Sequence, residues 1–317
     1  MIKLIDNYNT YLNLLPQIHN IKGPKHYMQD FNWFVLKDGE EKIDKFAVLG
    51  YDNDEVVYYC NIFLKHKKGF AYAPRGPIID FNNKRHLNVF IEDVKEFLSS
   101  INYKKFIMSP MVFKCSNPNI ELLNNHYNEQ EHSRKECIVD VTPFDDSPME
   151  TVDKKCAYSF RKALKGSLTA SITNEIDNLD KFYKLYIKTS EKHGFNRNTL
   201  KYFETLVDCF KDTIYSIIIR DSNNIVSYGL YIWKDDTLYY LYGATDYSYS
   251  AQKASYFMHY NAMVFCKENK IKYFNMGGVY ADDKEINSRD FGLLRYKKGF
   301  CKNNFTYYIG DLMINKE

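Results

Sequence analysis

The sequence contains few of the residues that make a chain flexible. It has 14 glycines and 8 prolines among 317 residues, against 28 tyrosines and 22 phenylalanines, which leaves little room for disordered linkers. Nowhere do 18 apolar residues run together, so a membrane-spanning helix is not expected. The first residues also lack the apolar core of a secretory signal peptide. We therefore expect a folded cytoplasmic protein.

Paired cysteines are lacking as well. The seven cysteines are scattered and include no CxxC pair; they are Cys60, Cys115, Cys137, Cys156, Cys209, Cys266 and Cys301. An odd, unpaired set of this kind is typical of reduced thiols, and the ligand spacing of a zinc site is missing. The sequence therefore predicts no bound metal.

Several catalytic motifs are also missing. No GxSxG or GxCxG nucleophile motif, HExxH zinc motif or P-loop occurs, which argues against triad hydrolases, zinc peptidases and P-loop enzymes. Acetyltransferases that use acyl-CoA hold its pyrophosphate on a glycine-rich turn. The matching residues 248–255 contain no glycine. We therefore expect no coenzyme A and no other cofactor.

What the chain does contain predicts a globular protein of two domains. Hydrophobic residues make up 45% of the sequence, and the length suits two ordinary domains. A strand hairpin, a helix over 83–100, a strand, a helix near 119–126 and a strand at 137–141 are predicted in order. A turn-rich break at 143–148 follows, and similar elements then recur. The pattern predicts an α/β (α+β) protein with mixed sheets flanked by helices, and domains at 1–147 and 148–302.

Single cations and tyrosines lie at the ends of predicted elements. Helical spacing of aromatic residues predicts a short helix that ends at Lys37, and the proline-flanked turn 74–77 fixes the direction of Arg75. Arg197, Tyr242 and Lys297 occupy comparable positions in the second half. Such a set suits an anionic substrate and electrostatic stabilisation of an acyl-transfer intermediate, without a covalent nucleophile. The net charge of +3 allows an anionic partner but does not require one.

The segment around Lys297 allows two interpretations. A strand over 273–279 ends in two glycines, and a polar loop and a pair of lysines follow. A cation flanked by Tyr296 and Phe300 can be shielded from water, where it acts strongly on a developing anion. The simpler alternative is a solvated strand–loop–strand with surface lysines.

An ordered set of short motifs resembles one protein family. The motifs are Gln29 with Trp33, Ala73-Pro-Arg-Gly-Pro77, Phe160-Arg-Lys-Ala163, Gly194-Phe-Asn-Arg197 with Tyr202-Phe203, Tyr240-Leu-Tyr-Gly-Ala244, Asn275-Met-Gly-Gly-Val279 and Tyr296-Lys-Lys-Gly-Phe300. Together they resemble the FemABX family, the peptidoglycan-bridge aminoacyltransferases that take amino acids from aminoacyl-tRNA. The resemblance covers nearly the whole chain. It implies two tandem GNAT-like (acyl-CoA N-acyltransferase-like) domains, with the C-terminal strand 303–317 returning to the first.

The resemblance also implies roles for the candidate residues. Lys37 and Arg197 would hold the diphosphate of UDP-MurNAc-pentapeptide or of lipid II, and Tyr242 would contact the same substrate. Lys297 would lie beside the reacting ester carbonyl and stabilise the oxyanion. A second substrate-binding tyrosine of the family falls on Lys201 or Tyr202, and the register leaves both open.

Further positions follow from the same resemblance. Arg75, Tyr296 and Ser109 are expected to bind substrate. Ser109 stands where some members carry an aspartate, so no carboxylate base is expected there. Aminoacyl-tRNA would meet the exposed cations of the basic helix 151–168 through its phosphates; these cations are Lys154, Lys155, Arg161 and Lys162. The alternative for this helix is a solvated face without a partner.

Other functions stay open at this point. The same fold could aminoacylate a protein N-terminus or a small molecule, or it could serve as a non-catalytic binding module. A lipid-linked acceptor implies peripheral contact with the cytoplasmic face of the membrane. No sustained heptad pattern occurs, so the coiled-coil arm carried by some family members is not expected.

Overall fold

The computed structural model describes residues 2–37, 44–112, 119, 127–129, 135–144, 147–279, 289–301, 304–306 and 310–314. The chain divides into two compact units, Met1–Arg134 with Thr306–Glu317 and Lys135–Phe305. Each unit has a sheet and a hydrophobic core. The mixed α/β fold predicted from the sequence is confirmed.

The first unit is a mostly antiparallel sheet with helices. Its described strands are β1 (Ile2–Leu4), β2 (Lys45–Asp52), β3 (Glu55–Lys65), β4 (Phe70–Ala73), β5 (Ile78–Ile79), β6 (Lys105–Met108), β7 (Tyr127–Glu129) and β15 (Gly310–Met313). Its described helices are α1 (Tyr8–Asn20), α2 (Phe31–Leu36) and α3 (Lys84–Ser100). The strand order is β1-β2-β3-β4-β6-β15-β7, with β5 paired to β3. Only the β4–β6 pair is parallel among the pairs described here.

The central strand β3 explains how this unit is layered. Tyr58 packs in one core cluster with Phe90 and other residues of α3, whereas the neighbouring Tyr59 packs in a second cluster with Tyr11 of α1. Successive side chains of a strand point to opposite faces, so both faces of β3 are covered. Burial of each large apolar side chain contributes roughly 1.5–3 kcal/mol. Residues 56–64 of β3 are apolar apart from the hydrogen-bonded Asn61, as expected for a strand with neither face in water.

The second unit repeats this plan with a seven-stranded, mostly antiparallel sheet. Its described strands are β8 (Lys135–Asp140), β9 (Leu168–Thr173), β10 (Ile214–Asp221), β11 (Asn224–Lys234), β12 (Thr237–Thr245), β13 (Tyr273–Val279) and β14 (Asn304–Thr306). Its described helices are α4 (Lys154–Leu164), α5 (Leu179–His193), α6 (Leu200–Phe210), α7 (Ala254–Glu268) and α8 (Arg289–Lys298). The strand order is β14-β8-β13-β12-β11-β10-β9, and β12 and β13 pair in parallel.

Helices α4 and α7 share one core cluster with residues of the sheet, in which Phe160 of α4 and Met258 of α7 are buried. Phe182 of α5 packs edge-on against Tyr228 of β11 and Phe203 of α6, with ring centroids 5.2 and 5.0 Å apart. Tyr186 of α5 and Phe203 of α6 also pack against the candidate residue Tyr242 of β12, which places both helices beside that strand.

The position of β8 differs from the sequence prediction. The predicted boundary at residue 147 placed this strand in the first domain, but β8 pairs antiparallel with β13 of the second unit. The division therefore lies at Arg134 and Lys135. Strand pairing depends on contacts between residues that are distant in the chain, which the sequence pattern does not show. The turn-rich segment 143–148 marks only the end of β8 and not a domain boundary.

The sequence predicted a loop around the two lysines, but residues 289–298 form the helix α8. Phe291, Leu294 and Lys297 recur every three residues, and the last two are buried at 2% and 7% exposure. A lysine thus occupies a position where an amphipathic pattern would carry an apolar residue. The exposed Gly292 further weakens the helical signal.

Two further predictions concern helices. The short helix expected before Lys37 is confirmed, since α2 ends at Leu36 and Lys37 is its C-cap. The helix expected at 119–126 and the polar loop at 282–288 lie outside the described residues, apart from Asn119. The longest described helix is α3, with 17 residues. In the part of the chain that the structure describes, no helix has the length and apolar character to cross a membrane.

Candidate active site

In the first unit, Arg75 lies on a tightly held turn. Its φ of 57° is in the left-handed region that non-glycine residues rarely adopt. The side chain of Gln29 holds the turn, because its Nε2 donates to the Pro74 carbonyl at 2.7 Å and its Oε1 accepts from the Asn61 amide at 2.8 Å. A Cβ at Gly76 would collide with this same Gln29 side chain, so glycine is required there.

The turn also brings together two candidate residues. The Arg75 amide donates to Ser109 Oγ at 3.2 Å, so Ser109 supports the backbone of the turn. Arg75 is only 8% exposed, and the nearby His26 has a pKa well below its ordinary value because of burial and then the charge of Arg75. His26 is therefore neutral and adds no second positive charge beside the guanidinium.

Lys37 lies elsewhere in the same unit, at the end of α2. Its Nζ stands 4.7 Å from the ring centroid of Trp33, a cation–π distance. The side chain is half-buried. The contact fixes where this ammonium group lies with respect to α2.

In the second unit, Tyr242 of β12 is the centre of a tyrosine cluster. Its hydroxyl lies 2.9 Å from the hydroxyl of Tyr202 and accepts from Asn198 Nδ2 at 3.1 Å. Tyr186 and Phe203 pack edge-on against its ring. Asn198 was not found from the sequence, because the quoted family motif ends at Arg197, the residue before it. The cluster offers hydroxyl and amide groups at a fixed place.

The two candidates for the second tyrosine position are separated by the structure. Tyr202 is 9% exposed and contacts Tyr242. Lys201 has a side chain 79% exposed, with its Nζ 3.6 Å from Glu204. Tyr202 therefore lies with Tyr242, whereas Lys201 points to solvent.

Arg197 is a surface cation, unlike Arg75. Its Nη1 donates to Glu191 Oε1 at 3.2 Å, and its side chain is 44% exposed. Exposed ion pairs of this kind contribute roughly 0–1 kcal/mol.

Lys297 of α8 is buried, so the expectation of surface lysines is wrong at this position. Its side chain is 7% exposed and its Nζ donates to the Gly278 carbonyl of β13 at 3.0 Å. Burial lowers the pKa of Lys297 to about 8, while Cys137 and Glu136 act in the opposite direction. The group is thus mainly an ammonium ion at neutral pH, but it loses its proton more easily than an ordinary lysine.

Aromatic residues surround this part of the unit. The rings of Tyr296 and Phe300 lie 5.1 Å apart, and both contact the ring of His259 on α7. Burial and then the charge of Lys297 lower the pKa of His259 to about 3, so this imidazole is neutral. The predicted shielding of the lysine segment by Tyr296 and Phe300 agrees with this arrangement.

The basic helix α4 presents its cations outward. Cys156, Phe160 and Ala163 are buried, whereas all four cations predicted to bind tRNA are exposed: Lys154, Lys155, Arg161 and Lys162. Tyr158 on the same helix is 59% exposed. A cleft of about 390 Å³ adjoins the helix; its lining residues are Asp153, Lys155, Cys156, Tyr256, Gly292, Arg295, Tyr296, Lys298 and Gly299. Two of these, Tyr296 and Lys298, flank Lys297 in the chain.

Among the residues that the structure places, no group of three or more His, Cys, Asp or Glu side chains is arranged to hold a metal ion. The candidate residues are instead cations, tyrosines and backbone groups. Such groups bind anions and stabilise negative charge that develops during a reaction.

Comparison with known proteins identifies the family. A sequence model described as the FemAB family matches residues 19–133, 119–220 and 218–315. The UDP-N-acetylmuramoylpentapeptide-lysine N(6)-alanyltransferase of Weissella viridescens is 22% identical over 303 residues, covering 90% of this chain and 87% of that protein.

Solved structures share the fold over almost the full length. The crystal structure of FemX superposes with a TM-score of 0.83 at 15% identity, covering 98% of this chain and 97% of its own. A tandem GNAT protein from the clavulanic acid biosynthesis pathway gives a TM-score of 0.56 at 7% identity, covering 100% of both chains. The tandem GNAT-like architecture is thereby confirmed. Because the family matches extend over most of the sequence, the chain belongs to the FemAB family.

Proposed function

We propose that this protein is a cytoplasmic aminoacyltransferase of peptidoglycan synthesis. It moves an amino acid from aminoacyl-tRNA to an amino group on the stem peptide of a peptidoglycan precursor, UDP-MurNAc-pentapeptide or lipid II, and so forms an interpeptide bridge. Membership of the FemAB family and the alanyltransferase activity named for the Weissella relative support this proposal. The observation that carries it is the buried ammonium group of Lys297, which donates to the Gly278 carbonyl of β13.

The proposed reaction needs electrostatic stabilisation more than a nucleophile on the protein. The acceptor amine attacks the ester carbonyl, a C–N bond forms, and the carbonyl oxygen becomes an oxyanion. The C–O bond to the tRNA ribose then breaks, the ribose oxygen takes a proton, and the amine loses one to water or to the substrate. Lys297 stabilises the oxyanion. A buried cation is effective here because little solvent screens it.

Acceptor binding is proposed for cations and tyrosines of each unit. In the first unit, Lys37 and Arg75 bind phosphate and Ser109 supports the Arg75 turn. In the second unit, Arg197 binds phosphate, and three tyrosines contact the acceptor: Tyr202, Tyr242 and Tyr296. Arginine suits phosphate because its planar guanidinium offers paired donors.

Donor binding is proposed for the outward face of α4 and the adjoining cleft. Lys155, Arg295 and Lys298 give the cleft a positive lining, and Tyr256 gives it an aromatic one. Phosphates are neutralised by lysine and arginine, and unpaired bases stack on aromatic rings. This combination favours the single-stranded end of a tRNA. We propose that no coenzyme A or other cofactor takes part.

A transfer assay tests the proposal. Purified protein is incubated with a pool of tRNAs charged with radiolabelled amino acids, with either UDP-MurNAc-pentapeptide or lipid II as acceptor. We expect label in one of the two precursors, and its loss in Lys297→Met but not in Lys184→Met, a change at an exposed lysine of α5. Transfer to neither precursor would contradict the proposed function and direct the search to peptide or small-molecule acceptors.

A further inference from the structure

We infer that Glu136 and Asn275 form a buried positioning pair that holds the bulge at Gly277 and Gly278 of β13 and, through it, the ammonium group of Lys297. The inference deepens the proposed function, on which the catalytic meaning of Lys297 rests. Neither Glu136 nor Asn275 is expected to touch substrate. Their proposed role is to position the ammonium group of Lys297 and to balance its charge.

Hydrogen bonds on either side of the Gly277–Gly278 backbone connect the pair to the lysine. Asn275 Nδ2 donates to Glu136 Oε2 at 2.7 Å, and the Gly277 amide donates to Asn275 Oδ1 at 2.7 Å. The next residue, Gly278, accepts from Lys297 Nζ at 3.0 Å through its carbonyl. Both the carboxylate and the amide side chain thus act on the short backbone segment to which the lysine binds.

The backbone of β13 is shaped for this contact. Asn275 pairs with Ile138 of β8, but Gly278 pairs with Glu136, so the register shifts between the two residues. The irregularity contains Gly277, whose φ of 78° lies in the left-handed region that favours glycine. A Cβ on Gly277 would stand 3.7 Å from Lys297 Nζ. The bulge therefore re-aims a carbonyl toward the ammonium group, as bulges beside active sites do.

The burial of Glu136 and Asn275 indicates a role for the charge of Glu136. Glu136 and Asn275 are each 2% exposed, and a buried carboxylate is costly unless it is paired and hydrogen-bonded. The charge of Glu136 opposes the effect of burial on Lys297. An ordinary strand end would be held as well by apolar residues, so a charged group here indicates a role for its charge.

The other groups around Lys297 do not supply that charge. Cys137, next to Glu136 on β8, has a raised pKa and is a neutral thiol. His259 on α7 has a pKa of about 3 and is neutral too. From β12, the Tyr240 carbonyl approaches Gly277, and its hydroxyl has a pKa raised by burial. Among the described groups named here, Glu136 alone brings a negative charge.

The test measures the protonation of Lys297 directly. Competitive acetylation at a series of pH values, followed by mass spectrometry of the peptide that contains Lys297, gives the pH at which this amine loses its proton. Glu136→Gln keeps the size of the side chain and an oxygen that accepts from Asn275, but it removes the charge. We expect the midpoint, near pH 8 in the unchanged protein, to fall by about one pH unit, a tenfold change in proton affinity.

Two variants serve as controls for this shift. Glu268→Gln removes an exposed carboxylate at the end of α7 and should leave the midpoint unchanged. Glu136→Asp keeps the negative charge, so its midpoint should lie close to that of the unchanged protein. An unchanged midpoint in Glu136→Gln would overturn the inference, since a merely structural pair would alter stability and not proton affinity.

A second variant, Asn275→Ala, tests the inference if Glu136→Gln does not fold. Asn275→Ala removes the hydrogen bond to the Gly277 amide in the bulge but leaves the charge of Glu136 in place. If it folds while Glu136→Gln does not, we expect transfer about tenfold slower with unchanged KM for the acceptor, and an unchanged rate would overturn the inference. The labelling needs no enzymatic activity, so a shifted midpoint in a protein that transfers nothing would contradict the proposed function and leave the pairing of Glu136 with Lys297 intact.

Discussion

Two buried cations, one in each unit, are held in different ways. Arg75 is 8% exposed on a strained turn beside the neutral His26, whereas Lys297 is 7% exposed on a helix and interacts with the carboxylate of Glu136. Arginine keeps its charge under nearly all conditions, but the pKa of lysine responds to its surroundings. The difference indicates that Arg75 suits permanent binding of an anion. Lys297 suits a reacting centre, where the strength of a charge can be adjusted.

The largest effect is expected from Lys297→Met. Loss of one group that stabilises an oxyanion slows comparable reactions by roughly 10²- to 10³-fold, and we expect at least that loss of transfer. Calorimetric affinity for UDP-MurNAc-pentapeptide should stay nearly unchanged, with Lys184→Met as the matched control. A wild-type rate in Lys297→Met would remove the oxyanion role.

Arg75 should affect binding rather than the rate of the bound complex. Arg75→Ala removes a charge-assisted contact worth roughly 1–3 kcal/mol, or about 5- to 150-fold in Kd for the nucleotide-linked acceptor. Arg75→Lys should recover little of this, because lysine lacks the planar paired donors of arginine and burial lowers its pKa. Arg85→Ala, at an exposed arginine of α3 that pairs with Asp52, is the control. Wild-type affinity in Arg75→Lys would contradict the claim that this position needs the permanent charge and planar donors of arginine.

Arg197, which is exposed, and Lys37, which is half-buried, should contribute less than the two buried cations. Arg197→Ala and Lys37→Ala are expected to raise the same Kd by roughly 1 kcal/mol each, about fivefold, near the lower limit for a lost charged contact. The effect of Arg197 should shrink further as salt rises, since exposed charges are screened. Calorimetry at two salt concentrations measures the change in Kd and its salt dependence. An Arg197 effect that salt does not change would indicate a buried contact instead.

The smallest effect is expected at Asn198. Its amide donates to the Tyr242 hydroxyl, which keeps its contact with Tyr202 when Asn198 is removed. Asn198→Ala should therefore raise the KM of the acceptor by about two- to fivefold, or roughly 0.5–1 kcal/mol. An effect as large as that of Arg75→Ala would mean that Asn198 binds the substrate itself.

The sequence predicted local features of the fold better than distant ones. Helix α3 and the position of Lys37 after α2 follow from helical spacing and capping, which involve residues within a few positions. Strand β8 was assigned to the wrong half because its partner β13 lies more than a hundred residues away. Helix α8 was missed because Lys297 occupies a buried position of its face, where a polar residue hides the periodicity.

The same distinction applies to the candidate site. Single residues such as Lys297 and Tyr242 could be selected from motifs, but the links between them could not. Glu136 lies just before the predicted strand 137–141 and was not selected, since its bond to Asn275 exists only once β8 and β13 pair. Asn275 itself stands in the family motif, which was the one available signal. The bond between Asn198 and Tyr242 depends likewise on a contact across the fold.

The most direct test of the account is the pH dependence of single-turnover transfer from charged tRNA to UDP-MurNAc-pentapeptide. The rate should rise with pH as the acceptor amine loses its proton, and flatten above about pH 8, where Lys297 loses its own. Lys297→Met should be slower at every pH and show no change of slope near pH 8. A variant with the wild-type rate and the same change of slope would contradict the claim that the charge of Lys297 drives the transfer.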